Sequence, residues 1–401
     1  MTPIRRNALL LALGLVFQSG MIQLAVALGT VTIVAVTGVK GILGLGPAIF
    51  LAAGAFAVGP AGRASDRFGR MPVIRVGFLL GITGPLVTAA GCAAVSPVLV
   101  FIGLGMCGAA QTIVLLSRAA AAEMFPPERR ARGMSFVLFA VVSGAIWGPL
   151  VFGPMFGDRA LTPHELVLPW LCAGLFTLAG LAISFGVRPD PKVISAQLYG
   201  SAASDAPAAP LKEILRRPGV PTAMIAGIAS FAVMVGVMNL AGYVAVGHGH
   251  SHGSIFTIIS LHIVGMYGLV LIIGDIVERL GRRQAMIIGL VVMGVSNAAL
   301  VWFHSVAGMS ASLFGLGLGW SLSYVAASTE LIGLAAPSER GRLIGTTDLA
   351  SSLVGALLAL GGGVVYTGAG NASLALTAAG LALLPAAWIL GSTAVPAPQP
   401  A

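Results

Sequence analysis

Gly62-Arg63-Ala64-Ser65-Asp66-Arg67-Phe68-Gly69-Arg70 is a short charged stretch set between two long apolar runs. A second copy, Gly274-Asp275-Ile276-Val277-Glu278-Arg279-Leu280-Gly281-Arg282-Arg283, stands in the same setting about half the chain later. In each copy a glycine (Gly62, Gly274) precedes an acid (Asp66, Glu278) by four residues. Arginine (Arg67, Arg279) follows the acid directly, then one apolar residue, then Gly69-Arg70 or Gly281-Arg282. A duplicated unit is the simplest account, so the chain is read as two related halves.

The apolar runs on either side decide the class. The chain has 401 residues, 57% of them hydrophobic and 9% charged, where soluble domains carry about 25% charged residues. Apolar stretches of about 20 residues recur along its whole length, enough for a helix to cross a bilayer each time. The expected fold is therefore an all-α integral membrane protein. Twelve spans are placed at 8–35, 42–62, 72–94, 97–119, 133–154, 166–187, 220–246, 254–275, 284–304, 306–330, 342–366 and 372–392. The first of them follows Arg5-Arg6 and has no small-residue cleavage pattern, so it reads as a helix rather than a signal peptide. Cys92, Cys107 and Cys172 fall inside spans, with neither disulfide nor zinc spacing, and read as small packing residues.

Residues 1–187 form the first six-span half and residues 220–401 the second. Residues 188–219 join them and include Ser201-Ala202-Ala203-Ser204-Asp205-Ala206-Pro207-Ala208-Ala209-Pro210, a composition that reads as a partly flexible linker. The net charge of +9 does not point to nucleic acid, because the positive residues sit in short loops between spans. With the N-terminus inside, every Lys and Arg except Lys40 and Arg159 falls on the inner side. That asymmetry places both termini and the linker in the cytoplasm of a cell inner or plasma membrane.

Gly-x-x-x-Asp-Arg-x-Gly-Arg, repeated in the second half with Glu278 in place of Asp, resembles the loop signature of the major facilitator superfamily of secondary transporters. The resemblance implies two six-helix bundles related by an axis along the membrane normal, rocking about a central site. It implies that Asp66 contacts the N-terminus of the eleventh span, near Arg342, as a latch between the halves. The alternative is that Asp66, Arg67 and Arg70 are solvated topology determinants. The fifth span carries Gly144-Ala145-Ile146-Trp147-Gly148-Pro149-Leu150-Val151-Phe152-Gly153, similar to the Gly-x-x-x-Gly-Pro motif of antiporters in this superfamily. Gly144, Gly148 and Gly153 permit close packing, and Pro149 removes a helical hydrogen bond. Phe152 stands where a second glycine is usual. An Arg found early in the fourth span of many proton-coupled exporters is absent, with Leu99 and Phe101 in its neighbourhood.

By the same resemblance the cavity lies between the first, fourth, seventh and tenth spans. Its polar candidates are Gln18, Ser19, Gln23, Gln111, Thr112, Asn239, Tyr243, Trp320, Ser321 and Tyr324. Asn239/Tyr243 and Trp320/Tyr324 are each spaced to share a helix face. They are either ligand contacts or helix–helix hydrogen bonds. With no acid or base at the expected midplane of those four spans, a neutral or largely apolar substrate is favoured. Asp348, about two turns into the eleventh span, is the acid most clearly inside the membrane. It is either a proton carrier or a structural partner for Arg340, Arg342, Arg67 or Arg70.

Gly247-His248-Gly249-His250-Ser251-His252-Gly253, with His262 in the next span, has no accompanying carboxylate or cysteine, so it reads as a solvated external loop. The sequence has no phosphate-cradling Gly-x-x-x-x-Gly-Lys loop, which leaves ATP out as a direct driver. The expectation is a non-enzymatic, cofactor-free, monomeric exporter of small, largely apolar compounds in exchange for protons. Two rivals are a metal-ion transporter using the external histidines and a non-transporting sensor on the same fold.

Overall fold

The computed structural model describes residues 3–126, 130–156, 162–199, 209–336 and 339–392. All regular structure among them is helical. In hydrocarbon no water satisfies a bare amide, so long apolar runs close their backbone hydrogen bonds internally as helices.

Nine helices among the described residues are long and apolar enough to cross a membrane, and a tenth crossing is the pair Gly253–Gly268 and Ile272–Leu280, bent by 61°. Arg282–Ala299 is another crossing, diluted in hydropathy by Arg282, Arg283 and Gln284 at its start. Arg340–Gly391 has 52 residues, so it would span about 78 Å at 1.5 Å per residue, far more than the roughly 30 Å hydrocarbon core. It is broken at Gly370 (φ 79°, ψ −177°), a conformation reserved for glycine, and is two spans. Twelve crossings result.

Several expected edges move. The second span runs Leu45–Phe68, carrying its helix into the charged motif itself. The fourth continues past a turn at Leu116 into Ser117–Glu123. The fifth is not one regular helix: after Arg130–Phe139 it tightens at Ala140–Ser143 and widens to a π turn over Gly148–Phe152. Pro149 lacks the N–H that the regular ladder needs there. The expected flexible linker holds an ordered helix, Pro191–Tyr199, and a turn, Leu211–Ile214; residues 200–208 lie outside the described residues.

The repeat seen in the sequence is also a repeat of packing. Span three crosses span four through Gly84 and Gly103, where a Cβ on Gly103 would strike the Gly84 carbonyl and Thr88. Span nine crosses span ten through Gly289 and Gly319, where a Cβ on Gly319 would strike the Gly289 carbonyl and Met293. Backbones approach this closely only where no side chain intervenes. Arg75 donates to the Ser184 carbonyl at the end of span six (3.2 Å), and Arg283 donates to the Ile389 carbonyl at the end of span twelve (2.7 Å). Each guanidinium adds a charged donor to a carbonyl at a helix C-terminus.

Candidate functional site

The two duplicated loops adopt one geometry. Gly69 (φ 99°) and Gly281 (φ 82°) each turn the chain through a conformation that favours glycine. Arg70 then binds Glu123 at the end of span four (2.7 Å), and Arg282 binds Glu330 near the end of span ten (3.2 Å). Gly69 has a second reason: a Cβ there would press on the carboxylate of Asp190. That carboxylate accepts from the backbone N–H of Arg70 (3.1 Å) and Met71 (2.8 Å), capping span three.

Asp66 pairs with Arg70 (2.9 Å), within its own loop, and its side chain is 73% exposed. Its expected contact with the start of the eleventh span is not made in this conformation. Arg342 donates instead to the Ala209 carbonyl (3.3 Å). Glu278, Arg279 and Gly274 are exposed.

The reason lies in the seam between the halves. Toward the end away from the termini it is tightly closed. A Cβ on Gly44 would overlap the Ala359 carbonyl, one on Gly363 the Gly44 amide, and one on Gly242 the Ala27 carbonyl. Thr30 donates to the Asn239 carbonyl across the seam (2.9 Å), and the Gln23 amide donates to Ser260 (3.3 Å). Gly148 of the antiporter-like motif packs on Ser260 and Gln23, and Gly144 packs on Ser19 and Ile263. Gly153 lies near the Gly253 carbonyl. At the end that carries the termini, a Cβ on Gly62, Gly341 or Gly345 would meet nothing within 4 Å. Contacts between the halves are thus sparser at that end than at the far one, and the anion and the helix start expected to meet do not touch.

Within the seam the polar candidates separate into groups. Trp320 and Tyr324 stack at 5.2 Å with 16° between planes, and Tyr267 meets Trp320 edge-on at 5.6 Å. Tyr324 donates to Asp348 (2.7 Å), and Arg118 stands 4.0 Å from the other carboxylate oxygen. The partner of Asp348 is thus Arg118 of span four, not Arg340, Arg342, Arg67 or Arg70. Span four continues past its turn at Leu116 as Ser117–Glu123, carrying Arg118 into the seam. An acid of span eleven and a base from the end of span four thus stand beside the Trp320/Tyr324 stack. The Trp320 indole N–H and the Ser321 hydroxyl are buried without partners, and so are both amide atoms of Gln18, which lies inside the first half beside Gly81 of span three rather than in the seam.

Asn239 and Tyr243 do not join this group. The Asn239 amide donates to Val235 in its own helix (2.8 Å), and Tyr243 packs edge-on against Tyr366 at 5.8 Å. Both belong to the closed end. Gln111 is half-buried.

The histidines are tied to the protein. His248 is hydrogen-bonded to the Val244 carbonyl (2.9 Å) and stacks on His304 at 4.5 Å, while His250 bonds the His304 carbonyl. The His252 side chain lies outside the described residues. His262 is buried, and its Nδ1 bonds the Leu313 carbonyl (2.7 Å), so that nitrogen carries the proton. Among the described residues no three His, Cys, Asp or Glu side chains converge as a metal site.

Comparison with known proteins agrees with this architecture. The chain is 27% identical over 391 residues to the uncharacterized MFS-type transporter YdeG of Bacillus subtilis, covering 95% of this chain and 90% of that one. It is 27% identical over 371 residues to the riboflavin transporter RfnT of Brucella anthropi, covering 89% and 90%. Among solved structures, the D-xylose-proton symporter superposes with a TM-score of 0.75 at 18% identity, covering 99% of both chains. The inward-open xylose transporter XylE from E. coli superposes with a TM-score of 0.73 at 16% identity, covering 97% and 96%. Residues 8–359 match the Major Facilitator Superfamily as a whole, and the chain belongs to that family of membrane transporters.

Proposed function

We propose that this protein is a proton-coupled secondary transporter that exports a small, neutral, planar compound by alternating access. The observation that carries the reading is the Arg118–Asp348–Tyr324 cluster, which joins the two halves at the side of the seam that is open. A carboxylate that exchanges a guanidinium for a proton changes the attraction between the halves, which couples protonation to rocking. The excess of Lys and Arg on the side of the termini supports a cytoplasmic position for that end, from which this conformation would receive substrate. The stacked Trp320/Tyr324 pair offers an aromatic face, and the unpartnered Trp320 N–H offers a polar contact for orientation. Arg118 and Asp348 cancel in charge, which favours a neutral ligand over an ion. The Gly148-Pro149 motif on the fifth span supports exchange rather than symport. The Brucella relative is named for riboflavin, itself neutral, planar and heteroaromatic, and it is the first probe to use here.

The test has two stages. Thermal unfolding of purified protein is followed with riboflavin and other neutral heteroaromatic compounds, since a ligand that binds only the folded form raises stability. Flux of the stabilising compound is then measured in proteoliposomes with and without an imposed pH gradient. Uphill movement that requires the gradient is expected. Flux indifferent to the gradient would overturn proton coupling, and stabilisation by organic ions alone would overturn the neutral class.

A further inference from the structure

A second site lies outside the seam. Between the loop joining spans two and three and the linker helix Pro191–Tyr199 there is a cleft of about 550 Å³. Arg67, Arg75, Arg188 and Lys192 line it, with Asp190 as the acid on its wall. The Asp190 carboxylate is already held by three backbone N–H groups, of Arg70, Met71 and Lys192. Arg75 binds the Ser184 carbonyl and lies over the Phe185 ring, and Lys192 binds the Asp66 carbonyl; neither contact supplies a counter-charge. Arg67 and Arg188 are exposed and have no acidic partner among the described residues. Four cations and one carboxylate therefore line the cleft, which keeps a net positive charge.

The rest of the wall is apolar. Phe68 is 63% exposed and Val193 of the linker helix 45%. From the cleft the surface of spans three and six continues as Val76, Leu79 and Phe185, each about half exposed in the isolated chain. A linker helix with exposed Val193 and Leu198 beside basic residues is built to lie at a membrane surface.

We propose that this cleft binds the headgroup of an anionic phospholipid in the leaflet on the side of the termini. The phosphate sits among Arg67, Arg75, Arg188 and Lys192, and the acyl chains follow the apolar faces of spans three and six. A free phosphate would satisfy the same cations, but it gains nothing from an apolar wall running on into the bilayer. Basic pockets at this depth favour anionic over zwitterionic lipids. Because Lys192 and Asp190 also hold the loop of the first charged motif, the bound lipid would brace that loop against the linker.

The full chain in detergent is incubated with equal amounts of phosphatidylglycerol and phosphatidylcholine, and retained lipid is measured by native mass spectrometry. Preferential retention of phosphatidylglycerol is expected. Arg188→Gln should reduce that preference about fivefold, and Arg188→Gln with Lys192→Gln by about that factor again. Arg216→Gln, at the same end but outside the cleft, should leave it unchanged, and Arg188→Gln alone touches only an exposed side chain, so folding is preserved. Equal retention of the two lipids overturns the proposal. So does displacement of phosphatidylglycerol by millimolar inorganic phosphate, which would mark a free-anion site.

Discussion

Arg118 and Asp348 face each other across the boundary between the two halves, 4.0 Å apart, and Asp348 is held from its other side by the Tyr324 hydroxyl at 2.7 Å. The pair is loose and both side chains are about one-third exposed, at 33% and 27%. Ion pairs of that kind contribute about 0–1 kcal/mol to stability. A weak pair at a moving boundary suits a switch better than a brace.

Asp348→Asn should therefore leave expression and thermal stability close to wild type, while removing transport driven by a pH gradient. Exchange of labelled against unlabelled substrate, which needs rocking but no net proton movement, should persist. Arg118→Gln should slow exchange as well, because it leaves the carboxylate without its partner across the seam. Proteoliposome flux with and without a pH gradient separates the two variants. Pump activity of Asp348→Asn equal to wild type would remove the carrier role.

Two glycines that look alike in sequence should behave differently. A Cβ on Gly44 would overlap the Ala359 carbonyl across the seam, whereas one on Gly108 would overlap the Phe50 carbonyl inside the first half. The first contact exists only while the far end is closed, but the second exists in every state. Gly44→Ala should shift the population toward states open at the far end, with little loss of folding. Gly108→Ala should cost stability in all states, about 1–3 kcal/mol as overpacking does. Spin-label distances across the far end, together with thermal unfolding, distinguish the outcomes. A Gly44→Ala protein with unchanged distances and a lowered Tm would reverse the assignment.

Much of this architecture was legible in the sequence because hydropathy and a duplicated motif are local signals. The bundle, the repeat and the two Gly-Arg turns needed no long-range information. Arg118 falls inside the expected fourth span, 97–119, but its place at the end of the apolar run reads as an inner-side topology charge, and no local signal pairs it with Asp348 about 230 positions later. The signal available for Arg118 was the one that marks Asp348, a charged residue within a span. Asn239 and Tyr243 were grouped with Trp320 and Tyr324 by helix number alone. Depth separates them, since an amide that bonds its own preceding turn is removed from ligand binding. The Asp190 cap of span three joins residues about 120 positions apart, and no periodicity encodes that.

Glu339 supplies a pH dependence. Its carboxyl is held down to about 2, against an ordinary value of 4.5, first by the Arg217 guanidinium at 2.6 Å and then by the backbone N–H groups of Ala336 and Ala209. A depressed value means that the folded protein prefers the ionised form. The stabilisation is complete above the ordinary value and is lost as pH falls from about 4.5 toward 2. Glu339→Gln should thus lower Tm at neutral pH, and its gap from wild type should narrow as the medium is acidified through this window. A gap independent of pH would mean that packing, not charge, holds this loop.

Asp66→Asn addresses the state not seen here. In the present conformation Asp66 is largely exposed and paired only with Arg70, so the substitution removes an exposed i,i+4 pair worth about 0.3–0.5 kcal/mol. Its effect on the present state should accordingly be small. In the opposite state the terminus end closes, and the resemblance places Asp66 against the N-terminus of the eleventh span. A carboxylate near those unpaired N–H groups contributes about 0.3–1 kcal/mol through the helix dipole alone, and an amide contributes less. The substitution should then favour the present, open state by up to about fivefold. Labels at positions 62 and 341, both glycines with open space around them, report the separation directly. Wild type should show a long and a short distance, and Asp66→Asn should deplete the short one. The same variant paired with Arg70→Gln separates the loop contact from the latch: if Arg70→Gln alone depletes the short distance equally, the acid acts through its own loop rather than on the eleventh span.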